Sequence, residues 1–114
     1  MRILFDHGTP HGLSSALKNH AVVTAFDKGW DTLSNGALLK AAEDEGFDLL
    51  LTTDRRLQYQ QNLKDRKIAV VVLTGTTKWS QVRLHFERIA AGVDACGAGH
   101  YIEIEIPFPA KNGD

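Results

Sequence analysis

Residues 68–73 form the longest uninterrupted apolar run of the chain, Ile-Ala-Val-Val-Val-Leu. Branched side chains without polar alternation suit a strand buried on both faces, as in the interior of a parallel sheet. Shorter apolar runs at residues 3–5, 21–25 and 47–51 also predict strands. Segments of helical character separate these runs. The alternation of strands and helices therefore predicts an α/β fold in which helices cover both faces of the sheet.

The segments between the strands carry the helical patterns. We predict helices at residues 13–20, between Ser34 and Gly46, at 55–63 and, as the longest, at 80–95. Ser34 is a good N-cap, and Gly46 can end its helix in the left-handed conformation.

The last predicted strand differs from the others. In residues 101–106 isoleucine alternates with tyrosine and glutamate, so one face of this strand is exposed to solvent. We therefore place the strand at an edge of the sheet. Pro107 ends the strand. The sequence thus predicts a three-layer α/β/α sandwich with a mostly parallel sheet of about five strands. Residues 1–106 would form one domain and residues 107–114 a C-terminal tail.

Composition sets the class of protein. A hydrophobic content of 43% and a charged content of 24% over 114 residues are typical of a soluble globular domain. The net charge of -1 means that any affinity for nucleic acid must come from local patches. One cysteine, Cys96, allows no internal disulfide, and no apolar stretch has the length of a membrane span. We therefore expect a cytoplasmic protein without a membrane partner.

Two aspartates follow predicted strands directly. Asp6 comes after residues 3–5, and Asp54 comes after residues 47–51 and two threonines. The carboxyl ends of parallel strands line one edge of a sheet, where ligands bind at the switch in strand order. If the two strands are neighbours, the two carboxylates meet there with room for a hard cation. The alternative is that each aspartate only caps the turn or helix that follows it.

A basic segment begins next to Asp54. Arg55, Arg56, Tyr59 and Lys64 lie in it together with amide side chains. Cations suit phosphate contacts, and an aromatic ring suits stacking on single-stranded RNA. We predict these four residues as an RNA-binding wall; a solvated helix face is the alternative.

Three blocks of the sequence resemble a known family. They are Met1-Arg2-Ile3-Leu4-Phe5-Asp6 with Pro10, Gly29-Trp30-Asp31-Thr32-Leu33-Ser34-Asn35-Gly36 with Leu38-Leu39, and Glu45-Gly46-Phe47-Asp48-Leu49-Leu50-Leu51-Thr52-Thr53-Asp54 with Tyr59-Gln60-Gln61-Asn62-Leu63. In these blocks the chain resembles the small PIN-like proteins, a branch of the PIN-domain ribonuclease fold. The resemblance covers nearly the whole chain in register.

The resemblance implies a Mg²⁺- or Mn²⁺-dependent endoribonuclease, often the toxin of a toxin–antitoxin pair. It assigns Asp6, Asn35 and Asp54 as catalytic residues, with Asp6 and Asp54 as the metal ligands and Asn35 as a weak, neutral third ligand, so that the ion would be weakly bound. RNA would be the substrate, an antitoxin protein the partner, and a homodimer is a further expectation. Many relatives have an acid near Asn35 and another after the fourth strand, where this chain has Thr74-Gly75-Thr76-Thr77.

Two alternatives remain, and these departures support the first of them. The first is a catalytically impaired PIN-like module that binds RNA or protein. The second is a receiver-like phospho-acceptor, in which Asp6, Asp54 and Thr74 would take the positions of the acid, the phosphorylated aspartate and the switch threonine. The receiver pattern also requires adjacent acids after the first strand and a lysine after the last, and both are missing from this sequence.

Overall fold

The computed structural model describes residues 1–57 and 66–109. Five strands form one sheet in which every neighbouring pair is parallel, in the order β2-β1-β3-β4-β5. The strands are β1 (Arg2–Phe5), β2 (Ala21–Thr24), β3 (Leu49–Thr52), β4 (Ala69–Gly75) and β5 (Tyr101–Ile106). The predicted fold class is confirmed, with β1 and β4 inside the sheet and β5 at an edge.

Three α-helices and two 3-10 helices lie in the described ranges. They are the 3-10 helix His11–Leu17, α1 (Asn35–Asp44), α2 (Trp79–Val82), the 3-10 helix Arg83–His85 and α3 (Phe86–Ala95). None of them is long and apolar enough to cross a membrane. The predicted helix at residues 55–63 lies mostly outside the described residues, as does the predicted tail beyond residue 109.

Each face of the sheet has its own core. On one face Leu13 of the first 3-10 helix and Ile89 of α3 pack against side chains of the strands such as Ile3 and Val71. On the other face the core contains Leu38, Leu39 and Ala42 of α1 together with Leu4, Leu50, Val70 and Val72 of the strands. Successive residues of a strand point to opposite faces, so the continuous apolar runs fill both cores.

The helix α1 begins and ends as its sequence predicts. The Ser34 hydroxyl accepts a hydrogen bond from the Ala37 amide at 3.4 Å. Gly46 has φ +80°, and the Phe47 amide then donates to the Ala42 carbonyl at 3.0 Å. This cap uses the Phe47 amide, and β3 starts at Leu49, two residues later than predicted.

Two helix predictions were wrong in type. The predicted helix at 13–20 is the 3-10 helix His11–Leu17, and the predicted helix at 80–95 is broken by the 3-10 turn Arg83–His85. A 3-10 turn has three residues against 3.6 in an α-helix, so a short one hardly shifts an apolar stripe. The stripe that includes Val82, Ile89 and Val93 therefore continues through the break, and its periodicity could not reveal it.

The strands β4 and β5 approach each other closely at Gly75. This glycine has φ +78°, and a Cβ added there would collide with the carbonyl oxygen of Ile106 on β5. Gly29 has a similar φ of +74°, but a Cβ there would meet nothing within 4 Å. We expect Gly29→Ala to cost about 1–2 kcal/mol for the left-handed conformation. Gly75→Ala should cost about 2–5 kcal/mol, because overpacking adds to the same conformational term.

Urea unfolding of the two alanine variants measures this difference, since they share the backbone cost and differ in the collision. Equal losses of unfolding free energy would contradict the close packing of β4 on β5 at Gly75.

Candidate active site

The sheet order creates a crevice between β1 and β3. The connection from β1 leads to β2 on one side, whereas that from β3 leads to β4 on the other side. In open α/β sheets, ligands bind outside the carboxyl ends of the strands at such a switch point. Asp6 follows β1 directly, and Asp54 lies two residues after β3. Both aspartates therefore lie at the edge position where a doubly wound sheet binds its ligand.

The buried hydroxyl of Thr52 joins the two aspartates. Phe5 of β1 lies opposite Leu51 of β3, so the next residues, Asp6 and Thr52, are neighbours across the ladder. Thr52 is fully buried, and its Oγ1 donates to Asp6 Oδ2 at 2.7 Å. The same oxygen accepts from the Asp54 amide at 3.1 Å. Buried polar groups favour such pairing, so the hydroxyl fixes Asp6 relative to the start of the Asp54 turn.

Asp54 is enclosed by hydrogen-bond donors. Its Oδ1 accepts from the Arg56 amide at 2.9 Å and from Arg56 Nε at 3.2 Å. Its Oδ2 accepts from Asn35 Nδ2 at 2.9 Å and from Arg56 Nη2 at 3.3 Å. Hydrogen bonds from Arg56, and then from Asn35, lower the pKa of Asp54 to about 2, although burial acts in the opposite direction. Asp54 is therefore ionised at neutral pH.

Asp6 is less fully engaged. Besides the Thr52 hydroxyl, it accepts a hydrogen bond from the His7 amide at 2.7 Å. These two bonds use about half of the lone pairs of a carboxylate, whereas the four bonds to Asp54 use about all of them. Asp6 can therefore accept a ligand directly, and Asp54 can do so once Arg56 moves away.

A cavity of about 410 Å³ brings the predicted residues together. Asp6, Asn35, Asp54 and Arg56 line it, along with His7, Asp31, Leu33 and Ser34. Arg55 is exposed, but it does not line this cavity. Tyr59 and Lys64, the other two residues of the predicted RNA-binding wall, lie outside the described residues. The structure thus places Asp6, Asn35, Asp54 and Arg56 at one site; their roles stay predictions.

The oxygen atoms at this site are of the type that a hard cation prefers, but there are few of them. Carboxylate oxygens are what Mg²⁺ and Mn²⁺ prefer, and Asp6 and Asp54 supply them. Within residues 1–57 and 66–109, however, no three acidic, histidine or cysteine side chains cluster as a metal site would require. A divalent ion would thus bind to two carboxylates, with Asn35 as the neighbouring amide, and depend on substrate phosphates for further ligands.

Thr52 is the main residue that sequence reasoning missed. Thr52 stands in the motif Thr52-Thr53-Asp54, but threonine is common in strands for its shape alone, so the motif does not single it out. The signal lay in the register: a polar residue at the end of a buried strand, beside the aspartate of a neighbouring strand, needs a partner there. Asp31 and Leu33 were also missed as lining residues.

Comparisons with family models, with curated proteins and with solved structures found no match. The assignment to the PIN-like family therefore stays a prediction from the sequence motifs.

The pKa of Asp54 makes stability depend on pH. Its folded value of about 2 lies below the ordinary 3.8, so its ionised form stabilises the fold above pH 3.8. That contribution is lost as the pH falls through 3.8 towards 2. We expect Asp54→Asn to lower the unfolding free energy at pH 7 by about 1–2 kcal/mol, after allowing for solvent screening.

Denaturant unfolding between pH 7 and pH 2 measures the effect, with Asp31→Asn as the control on the exposed rim of the same cavity. The gap between the parent and Asp54→Asn should close at the acid end. A gap that is constant with pH would contradict the pairing of Asp54 with Arg56 and Asn35.

Proposed function

We propose that this chain is a divalent-metal-dependent endoribonuclease, acting on RNA at the carboxyl edge of its sheet. The observation that carries the proposal is the linkage of Asp6 to Asp54 through the buried Thr52 hydroxyl at the switch point between β1 and β3. Capping of the following turns accounts for the bonds from the His7 and Arg56 amides, but not for the bond from Thr52 to Asp6 across the two strands. The resemblance to PIN-like proteins adds the reaction class and the expected metal, Mg²⁺ or Mn²⁺.

Each residue has a distinct part in this proposal. Asp6 and Asp54 would hold the ion, and Asn35 would lie beside it as a neutral ligand. When bound, the ion supplies a water of lowered pKa and neutralises charge on the scissile phosphate. Thr52 positions the Asp6 carboxylate through its hydroxyl and the backbone of Asp54 through the Asp54 amide, without contacting the substrate.

Arg56 would exchange its partner when substrate binds. Its side chain is 76% exposed, so little packing holds it against Asp54. A guanidinium suits a phosphate as well as a carboxylate, because it donates two parallel hydrogen bonds to either. Once a divalent ion neutralises Asp54, the arginine is free to bind the RNA backbone. Arg55, exposed beside it, would add a second phosphate contact.

The biological role follows from the same resemblance. We propose a toxin whose activity is neutralised by an antitoxin protein, in the cytoplasm. A PIN-like module that binds RNA or protein without cleaving it is the second candidate, favoured by Asn35 standing where an acid is usual. The assay described below separates the two.

The strand order is the observation that favours a receiver-like protein. The order 2-1-3-4-5 is the one that receiver domains use. Thr74 lies buried near the end of β4, where a switch threonine would be. Against this candidate, His7 follows Asp6 where a second acid is needed, and Pro107 and Phe108 follow β5 where the lysine is needed. We therefore rank it below the nuclease.

Asn35→Asp tests whether weak metal binding limits the enzyme. A third carboxylate beside the ion should tighten Mn²⁺ binding tenfold or more, since unit charges about 4 Å apart interact by about 4 kcal/mol at an effective dielectric of about 20. Without metal the same change should lower the melting temperature, because the new charge repels Asp54 and replaces an amide donor.

Thermal melts with and without Mn²⁺, and cleavage of a labelled RNA, give the two readouts. Asn19→Asp is the matched control, because it adds the same charge at an exposed position before β2, away from the carboxyl edge. Cleavage should increase in Asn35→Asp and disappear in Asp6→Asn. If neither the parent nor Asn35→Asp responds to Mn²⁺ in either readout, the metal-dependent nuclease is contradicted and the binding module takes its place as the leading candidate.

A further inference from the structure

A second cavity opens beside the proposed active site. It has a volume of about 330 Å³, within the range of small-molecule sites, and lies between the carboxyl ends of β1 and β2. Asp6 and His7 line both cavities, so the two adjoin at the end of β1. His11, Phe26 and Asp27 also line this second cavity. A chain of nucleotides with one phosphate on a divalent ion held by Asp6 would bring a neighbouring nucleotide to this second cavity.

Phe26 is presented at this cavity by a hydrogen-bonded turn. The preceding residue, Ala25, is buried, and its amide donates to the Phe5 carbonyl at 2.8 Å while its carbonyl accepts from the Trp30 amide at 2.8 Å. The Gly29 amide donates to the Phe26 carbonyl at 3.0 Å. Ala25 is thus buried in the core, whereas 72% of Phe26, the next residue of the turn, is exposed.

An exposed phenylalanine alone is ordinary in soluble proteins. Here the ring forms part of a cavity wall, next to the carboxylate that would bind the metal, on a turn that is fixed before any ligand arrives. Aromatic rings with these properties are the platforms on which bases of single-stranded RNA stack.

The charges on the wall favour a base over a phosphate. Asp6 and Asp27 both line the cavity and would repel a phosphate group. Asp27 is exposed and held at the end of β2, where its amide donates to Thr24 Oγ1 at 3.0 Å. A carboxylate accepts hydrogen bonds from amino and imino groups of a base. Guanine offers two such donors side by side, whereas the single imino group of uracil lies between two carbonyl oxygens.

We infer that this cavity is a nucleobase site, in which Phe26 stacks on a base of single-stranded RNA and Asp27 accepts from its amino edge, with guanine preferred over uracil. The inference rests on the proposed ribonuclease function and names the part of the substrate that the active site would recognise. In this inference Phe26 contributes to the affinity for RNA, and Asp27 determines which base is preferred.

Fluorescence anisotropy with Ca²⁺ in place of Mn²⁺ tests binding with a divalent ion still present, and a parallel gel shows that the probe stays intact. The probes are a short oligouridine and the same strand with one central guanosine. The parent should bind the guanosine strand more tightly. Phe26→Ala should weaken binding of both strands by roughly tenfold, the loss of one stacked base, while Phe26→Trp should retain it. Asp27→Asn should remove the preference for guanosine.

Two controls make the result specific. Leu84→Ala removes another exposed apolar side chain, 62% exposed on the 3-10 turn Arg83–His85, and should leave RNA affinity unchanged. Arg55→Ala should make the salt dependence of binding shallower, whereas Phe26→Ala should not, because stacking releases no counterions.

The outcomes separate this inference from the proposed function. If Phe26→Ala binds both strands as the parent does, the base site is overturned, and Mn²⁺-dependent cleavage by the parent would still support the nuclease. If Asp27→Asn keeps the preference for guanosine, the assignment of Asp27 is overturned. If the parent binds neither strand and cleaves no RNA, both the base site and the nuclease are overturned.

Discussion

The hydroxyl of Thr52 is the interaction on which the carboxyl edge of the sheet depends. It is fully buried, donates to the Asp6 carboxylate and accepts from the Asp54 amide. It therefore adds a side-chain link between the ends of β1 and β3 to the backbone hydrogen bonds of the sheet. A buried hydroxyl that lost either partner would incur the cost of an unsatisfied polar group. The two aspartates therefore keep their relative positions before any ligand binds, as a preorganised site requires.

Arg56 gives this edge its balance of charge. Two carboxylates in one cavity repel each other, and the guanidinium on Asp54 offsets part of that repulsion. A divalent cation would do the same with twice the charge, so metal and arginine compete for one carboxylate. When no ion is bound, the arginine stabilises the edge by pairing with Asp54. Competition of this kind is consistent with a metal site that has few acidic residues.

The sequence predicted the parts of this arrangement that follow from patterns of several residues. The continuous apolar run at 68–73 identified an interior strand, the alternation at 101–106 identified the edge, and the rule for parallel sheets placed Asp6 and Asp54 at one edge. The bridging role of Thr52 depends on which residues of β1 and β3 lie opposite each other, and the pairing of Arg56 depends on the turn after Asp54. The sequence spacing of these residues predicts neither the role of Thr52 nor the pairing of Arg56. The break in the last helix at Arg83–His85 also escaped prediction, because it hardly shifts the apolar stripe of that helix.

Binding of Mn²⁺ followed by electron paramagnetic resonance tests the central claim most directly, because the free ion gives a sharp signal that is lost on binding. The parent should bind one ion, more tightly when single-stranded RNA is present. Asp6→Asn should bind none. Arg56→Ala should bind the ion more tightly than Arg55→Ala does, because among the arginines of the described structure it is the Arg56 side chain that donates hydrogen bonds to Asp54. Binding that is absent from the parent with and without RNA, or that is unchanged in Asp6→Asn, would contradict a metal site at this edge.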